Sequence, residues 1–237
     1  MNTLVTRPRF FGPAALALSA FIVAAFARTY YLRFLGDLPP LGVLLHLHGA
    51  VFTAWLVVFI VQTRLVARRR IDMHRKLGIA SVGLAVLVAL VGVAAAVDAA
   101  VRVPLRPTGL TGAQFTIVPL TTIALFAAFV SLGIVFRKRA ALHKRFMVLA
   151  MIAVLSPATS RLIALFGVRE YSMMIQLIVP ALFVAWCLFA DWRAGRGVHA
   201  VYVIGGAVIV ASWPIRQMIA KTAPWQTVGE WIVRSAS

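Results

Sequence analysis

The segment from Val43 to Gly78, VLLHLHGAVFTAWLVVFIVQTRLVARRRIDMHRKLG, constrains this chain more than any other. Between Leu41 and Ala67 its only ionisable side chains are His46, His48 and Arg64. At ~1.5 Å rise per residue, such a run crosses the ~30 Å hydrocarbon layer of a bilayer, so it reads as a transmembrane helix. Lipid offers its polar side chains no hydrogen-bond partners, and they are expected to face the protein interior or a hydrated cavity.

Six further apolar runs follow the same rule, so the spans fall at about 11–32, 41–67, 77–99, 115–136, 146–167, 173–190 and 200–219. Hydrophobic residues make up 62 % of the 237 positions and the mean hydropathy is +0.95, which a soluble domain could not carry without aggregating. The expected fold class is therefore all-α, a polytopic membrane bundle of seven transmembrane helices. A net charge of +18 would suggest a nucleic-acid partner in a soluble protein. Here the cations cluster at span ends, which points to anionic lipid headgroups and to topology, not to nucleic acid. Of the 24 Lys and Arg, 15 fall on one side, from Arg7 and Arg9 through the clusters at 64–76, 137–145 and 193–196. The positive-inside rule then puts the N-terminus inside and the C-terminus outside. Arg7, Arg9 and the following apolar run also resemble a signal peptide with Ala25-Phe26-Ala27 as cleavage site, but the run is long for one, and an uncleaved first span is the reading adopted. Short loops leave no room for a soluble domain. The chain divides into a transmembrane domain, 1–221, and an outer amphipathic tail, 222–237, where Trp225, Val228, Trp231 and Ile232 fit one apolar face.

An internal repeat orders the spans. Arg68 to Leu77 can be laid without gaps on Arg137 to Phe146, matching basic, apolar and histidine positions except at Asp72 against Ala141, and a looser third copy runs from Arg193 to His199. The bundle reads as one leading helix plus three helical hairpins. Ser81, Ala85 and Ala89 recur every four residues, a small-residue face that predicts a central place for the third span. Pro119, Pro157, Pro180 and Pro214 predict kinks that free backbone carbonyls.

The buried polar residues sort into two layers. At the basic end lie His74, His143 and His199, whose alternatives are interfacial anchoring, a three-histidine metal site, haem ligation or a cradle for an anionic headgroup. The surrounding cations and scarce carboxylates oppose a metal dication there. At the other end lie Arg28, His46, His48, Asp98, Thr116, Arg161, Gln176 and Arg216. A buried arginine costs at least ~2.5 to 3.5 kcal/mol on insertion scales, so three at similar depth without matching carboxylates require an explanation. Snorkelling suits Arg28 and Arg216 better than Arg161, behind which residues 162–168 still separate it from the interface. His46 and His48 point roughly 160° apart on a helix and cannot share one ligand unless the helix start is distorted. The lone Cys187 reads as a small core residue. No catalytic dyad, phosphate loop or metal-binding motif is present, and no catalytic residue is assigned.

His46-Leu-His48-Gly49, His74 to Gly78 (HRKLG) and His143 to Met147 (HKRFM) resemble uncharacterised bacterial seven-helix inner-membrane proteins, which implies a multi-pass place in the bacterial inner membrane. His74 with Leu77 and Gly78 is similar to helix starts of membrane b-type cytochromes, though matched histidine pairs at both depths are lacking. That likeness implies haem b or quinone chemistry, with His74, His143 and His199 as cofactor residues. The functional expectation is a cationic pocket in the outward half, built from Arg28, His46, His48, Arg161 and Arg216 with Asp98 as counter-charge, binding an anionic or redox-active amphiphile such as haem or a quinone, in possible service of electron transfer. The competing expectations are a carrier for an anionic metabolite or lipid, and a non-catalytic subunit or assembly factor of a membrane complex.

Overall fold

A chain this apolar must satisfy its backbone hydrogen bonds within each segment, and helix is the way a single span does so. The computed structural model describes residues 10–36, 38–103, 105 and 109–236; Arg7 and Arg9 lie outside them. It is 86 % helical, and no strand forms among the described residues. Among the described residues, seven helices are long and apolar enough to cross a membrane: α1 (Phe11–Tyr31), α2 (Val43–Ala67), α3 (Ile71–Arg102), α4 (Gly112–Val135), α5 (Ala140–Phe166), α6 (Arg169–Arg193) and α7 (Ala200–Ala220). An eighth, α8 (Ala223–Ala236), follows directly.

The main departure from expectation is which helix lies at the centre. Within the apolar stretch of α5, 61 % of residues are buried, against 33 % in α3. Val148 to Ala153 form an unbroken buried run, and Trp55 of α2 donates its indole N–H to the Met151 sulfur at 3.3 Å. Helix α5 packs against α1, α4, α6 and α7, whereas Ile79 and Leu90 of α3 stay exposed at 78 % and 64 %. Small residues permit close approach, and in α3 they serve its contact with α4 without enclosing the helix.

Helices α3 and α5 also begin about two turns earlier than hydropathy alone suggests. Their starts, Ile71 and Ala140, occupy equivalent places in the repeat, and in both copies the histidine N–H bonds the carbonyl four residues back, that of Arg70 and of Arg139. The third copy differs, because His199 precedes its helix and caps it.

Proline explains the breaks. α4 is interrupted at Thr116 and α5 at Val154, each three residues before a proline, Pro119 and Pro157, whose ring displaces the carbonyl four residues back. Pro180 and Pro214 sit inside helices that continue through them. The start of α4 carries a capping box missed by hydropathy, with Thr111 and Gln114 exchanging side-chain to backbone bonds. On this start lies α8: a Cβ on Gly229 would overlap the Ala113 carbonyl, and Trp225 donates to the Gln114 carbonyl at 3.2 Å. Trp225, Gly229 and Ile232 form the covered side, while Val228 and Trp231 of the expected stripe face away, at 44 % and 64 % exposure.

Candidate functional site

The half of the bundle opposite the basic turns is organised by the last turn of α1, which widens into a π-helix over Ala27–Tyr31. Such widened turns re-aim side chains and recur at functional sites. Here the turn directs Tyr30 against Gly49 of α2, where any Cβ would overlap the ring, and the Tyr30 hydroxyl donates to the His46 carbonyl at 3.2 Å. Tyr31 pairs its hydroxyl with Thr53 at 2.8 Å, and Thr53 in turn donates to the Gly49 carbonyl at 2.7 Å. Gly49 is thus the point of closest approach between α1 and α2, with the aromatic as the neighbour that its missing side chain admits.

One turn deeper, Phe26 lies under Arg161 of α5, whose guanidinium carbon stands 3.9 Å from the ring centroid. Arg161 donates from Nη1 to the Pro157 carbonyl at 3.0 Å, while its buried Nε has no acceptor among the described residues. Its charge reaches His48, which is half-buried and stacks on Phe52. Gln176 of α6, 3 % exposed, closes the cluster by donating to Ser160 Oγ at 2.7 Å and the Ser156 carbonyl at 3.3 Å. Ser160 is therefore drawn toward α6, and the guanidinium is turned toward Phe26 of α1.

Of the other proposed wall residues, His48 lies within reach of the Arg161 charge, and the rest make their contacts elsewhere. Arg28 is exposed on the π turn, and His46, also exposed, sits beside Tyr30. Asp98 is paired with Arg102 at 2.7 Å on its own helix, so it is not the counter-charge of Arg161. Four residues apart on one helix face is the shortest route for a carboxylate to a guanidinium. Arg216 lies between α4 and α7, 5 % exposed, donating from Nη1 to the Val118 carbonyl at 3.0 Å and to Thr122 Oγ1 at 2.8 Å, over the Trp213 ring at 4.5 Å. It is drawn inward to α4, so snorkelling does not describe it. Thr116, 1 % exposed, donates to the Ala113 carbonyl and serves the α4 break.

At the basic end the repeat has a spatial counterpart. His74 and His143 meet with ring centroids 6.1 Å apart, edge to face. His143 Nδ1 faces the Gly133 carbonyl at 2.8 Å; a carbonyl can only accept, so Nδ1 carries a proton. Turning the Gln62 amide so that its nitrogen faces α3 lets it donate to the His74 carbonyl and Nδ1, 3.2 and 2.5 Å away, and accept from the Gly78 N–H at 3.0 Å. Neutral His74 then keeps its proton on Nε2. His199 stands apart as the cap of α7, accepting from the Val201 N–H at 3.2 Å. Partial burial, and then the nearby Arg145 charge, hold its imidazole below the usual proton affinity. Among the described residues no three His, Cys, Asp or Glu side chains come together to hold a metal ion.

The most deeply buried charges escaped sequence reasoning. Asp191 near the end of α6 is 0 % exposed and is gripped by Arg145 at 2.7 and 2.8 Å on one oxygen and by Arg196 at 2.8 and 2.9 Å on the other. Arg145 also bonds the Ala141 carbonyl at 2.5 Å and lies near the ring of Tyr202, with Cys187 completing the apolar wall. The available signal was periodicity, since Arg145 shares a helix face with Val148, Leu149 and Ile152. No known protein family, curated protein or solved structure matches the chain, so the reading of its sites rests on their geometry.

Proposed function

We propose that this chain is a multi-pass protein of the bacterial inner membrane, N-terminus inside, built as one leading helix and three helical hairpins, which binds an amphiphile with an oxyanion or quinone carbonyl head at Arg161. The observation that carries this reading is the half-buried Arg161 guanidinium without a carboxylate among the described residues. A guanidinium stays protonated in any protein environment, so it must be compensated, not neutralised. The Phe26 face contributes about 0.5–2 kcal/mol, less than the ~2.5–3.5 kcal/mol that a central arginine costs on insertion scales. The Pro157 carbonyl takes one of its five N–H donors. The remaining fork suits a carboxylate, a phosphate or a ring carbonyl, and Phe26 and Phe52 supply apolar surface for the body of such a molecule.

Between the two cofactors considered, a quinone fits better than haem. Two axial imidazoles must each present an Nε2 lone pair, and a Gln62 amide turned with its nitrogen toward α3 favours the other tautomer of neutral His74. A Soret band in the purified protein, lost in His74→Ala or His143→Ala, would reverse that preference. The direct test is extraction and mass spectrometry of amphiphiles that copurify with the full chain. Arg161→Gln should leave the thermal midpoint unchanged and lower retention of one quinone or acidic lipid about tenfold, the loss of ~1.4 kcal/mol. An unchanged complement, or non-additive stability losses from Arg161→Ala and Asp98→Ala, would refute the reading.

A further inference from the structure

We infer that the loop joining α1 to α2, residues 32–42, is an apolar wedge, clamped by Arg33, that seats the bundle in the lipid leaflet opposite the basic turns. Its side chains are arranged inside out for a loop in water. Phe34 and Leu35 are 79 % and 72 % exposed, and Leu32 and Leu38 are exposed beside them. Arg33, between Leu32 and Phe34, is the more covered residue. Its Nε donates to the Pro39 carbonyl at 2.9 Å and its Nη1 to the Thr29 carbonyl at 3.1 Å, with Nη2 also on Pro39. The guanidinium thus ties the last turn of α1 to the far side of the loop, and none of the ion pairs among the described residues includes it. A 3₁₀ turn over Arg33–Leu35, closed by the Gly36 N–H on the Arg33 carbonyl at 3.2 Å, holds Phe34 and Leu35 in place. In water the favoured arrangement is the reverse, with the cation solvated and the aromatic ring covered.

Depth identifies what covers the patch. At ~1.5 Å per residue α1 rises about 30 Å from Phe11 to Tyr31, and α2 rises about 32 Å between Arg64 and Val43. Both therefore reach the far boundary of a ~30 Å hydrocarbon layer where the loop begins and ends. Tyr30 and Tyr31 stand at that level, the place of aromatic belts in membrane proteins. The apolar patch is also continuous with the lipid-facing surface of the spans, because Val43, 86 % exposed, and then Leu47 carry it on along α2. A protein partner is met through an apolar centre with a polar rim, and the one cation of the loop, Arg33, is already spent on carbonyls. Lipid needs no such rim: it takes up apolar side chains and excludes cations. The turns at the other end of the bundle carry Arg68, Arg69 and Arg70 and, in the second copy, Arg137, Lys138 and Arg139. One leaflet is thus held by charge and the other by inserted apolar side chains.

The test uses the full chain in vesicles of phosphatidylcholine and phosphatidylglycerol, with the lone Cys187 replaced by alanine and a nitroxide attached at Phe34→Cys or Leu35→Cys. Collisions with oxygen, which concentrates in lipid, and with a water-soluble nickel chelate give the depth of each label. Leu90→Cys, on the exposed face of α3, is the lipid reference and Lys138→Cys, in a basic turn, the water reference. The Phe34→Cys and Leu35→Cys labels should favour oxygen and lie about 5–10 Å into the boundary between headgroups and chains. Arg33→Ala should release the loop and narrow the spectra of both labels while the Leu90→Cys spectrum stays as it was; unchanged loop spectra would overturn the clamp. If both loop labels met nickel as freely as Lys138→Cys, the wedge would be overturned. Protection of both from oxygen and nickel alike would overturn it too, because protein, a second copy of the chain included, would then cover the loop.

Discussion

Replacing Asp191 by asparagine keeps the side-chain shape and removes the charge that balances Arg145. Arg145 and Asp191 side chains are 2 % and 0 % exposed, and their two contacts are 2.7 and 2.8 Å, so neither group can turn to water when its partner is lost. Breaking a buried pair from one side costs about 3–5 kcal/mol, most of it the penalty of the stranded charge. Arg196 keeps 24 % of its side chain exposed and contributes on the scale of a surface pair, about 0.2–1 kcal/mol. For a chain of this length each kcal/mol moves the midpoint by roughly 2–4 °C, so Asp191→Asn should lower it by roughly 6–20 °C and Arg196→Met by a few degrees at most. Tryptophan fluorescence during heating in detergent reads the midpoint.

The double variant Arg145→Met with Asp191→Leu tests the reasoning more sharply. Removing both charges leaves no stranded ion, and apolar replacements of similar volume at buried pairs are often neutral or better. The double variant should therefore be more stable than either single one. An Asp191→Asn midpoint within about 2 °C of the parent, or single losses that simply add in the double variant, would refute the account of a buried, mutually dependent pair.

Orientation is checked with reporters fused after Ser237: one active only outside the cytoplasm should work and a cytoplasmic one should stay silent. Gly49→Ala should destabilise the α1 to α2 contact by about 1–3 kcal/mol through overlap with Tyr30, seen as a lowered midpoint, and the loss should largely vanish in a Tyr30→Ala background.

The spans were legible because an uninterrupted apolar run of that length has few alternatives in a chain this hydrophobic. Their basic ends were less so, since Ile71 to Lys76 are charged and helical at once: hydropathy stops where the bilayer stops, but the backbone continues until a residue breaks it. The small-residue face of α3 announced close packing without revealing that the larger Val148 to Ala153 run would be enclosed on every side. At the sites, the repeat put His74 and His143 in one layer, but not that their rings meet there while His199 stands apart. The Asp98 to Arg102 spacing was equally local and outcompetes any partner on another helix. What no local pattern carries is the approach of His48 to Arg161, or of Arg145 to Asp191, because each depends on how whole helices are placed side by side.

The placement of the carboxylates gives the bundle a polarity that its sequence composition hides. Six Asp and Glu face 24 Lys and Arg, so most cations must rely on water, lipid or carbonyls. At the basic end Asp191, the one fully buried acid among the described residues, is shared by two arginines from separate segments and closes α5 and α6 against the turn before α7. At the opposite end Asp98 is committed to the 67 % exposed Arg102 on its own helix. Arg161 and Arg216, both more enclosed than Arg102, are left with carbonyls, a hydroxyl and aromatic faces. A stable bundle that binds nothing would gain most by giving its carboxylate to the most enclosed cation. Here it goes to Arg102, the most exposed of the three, and Arg161 and Arg216 have no carboxylate partner among the described residues.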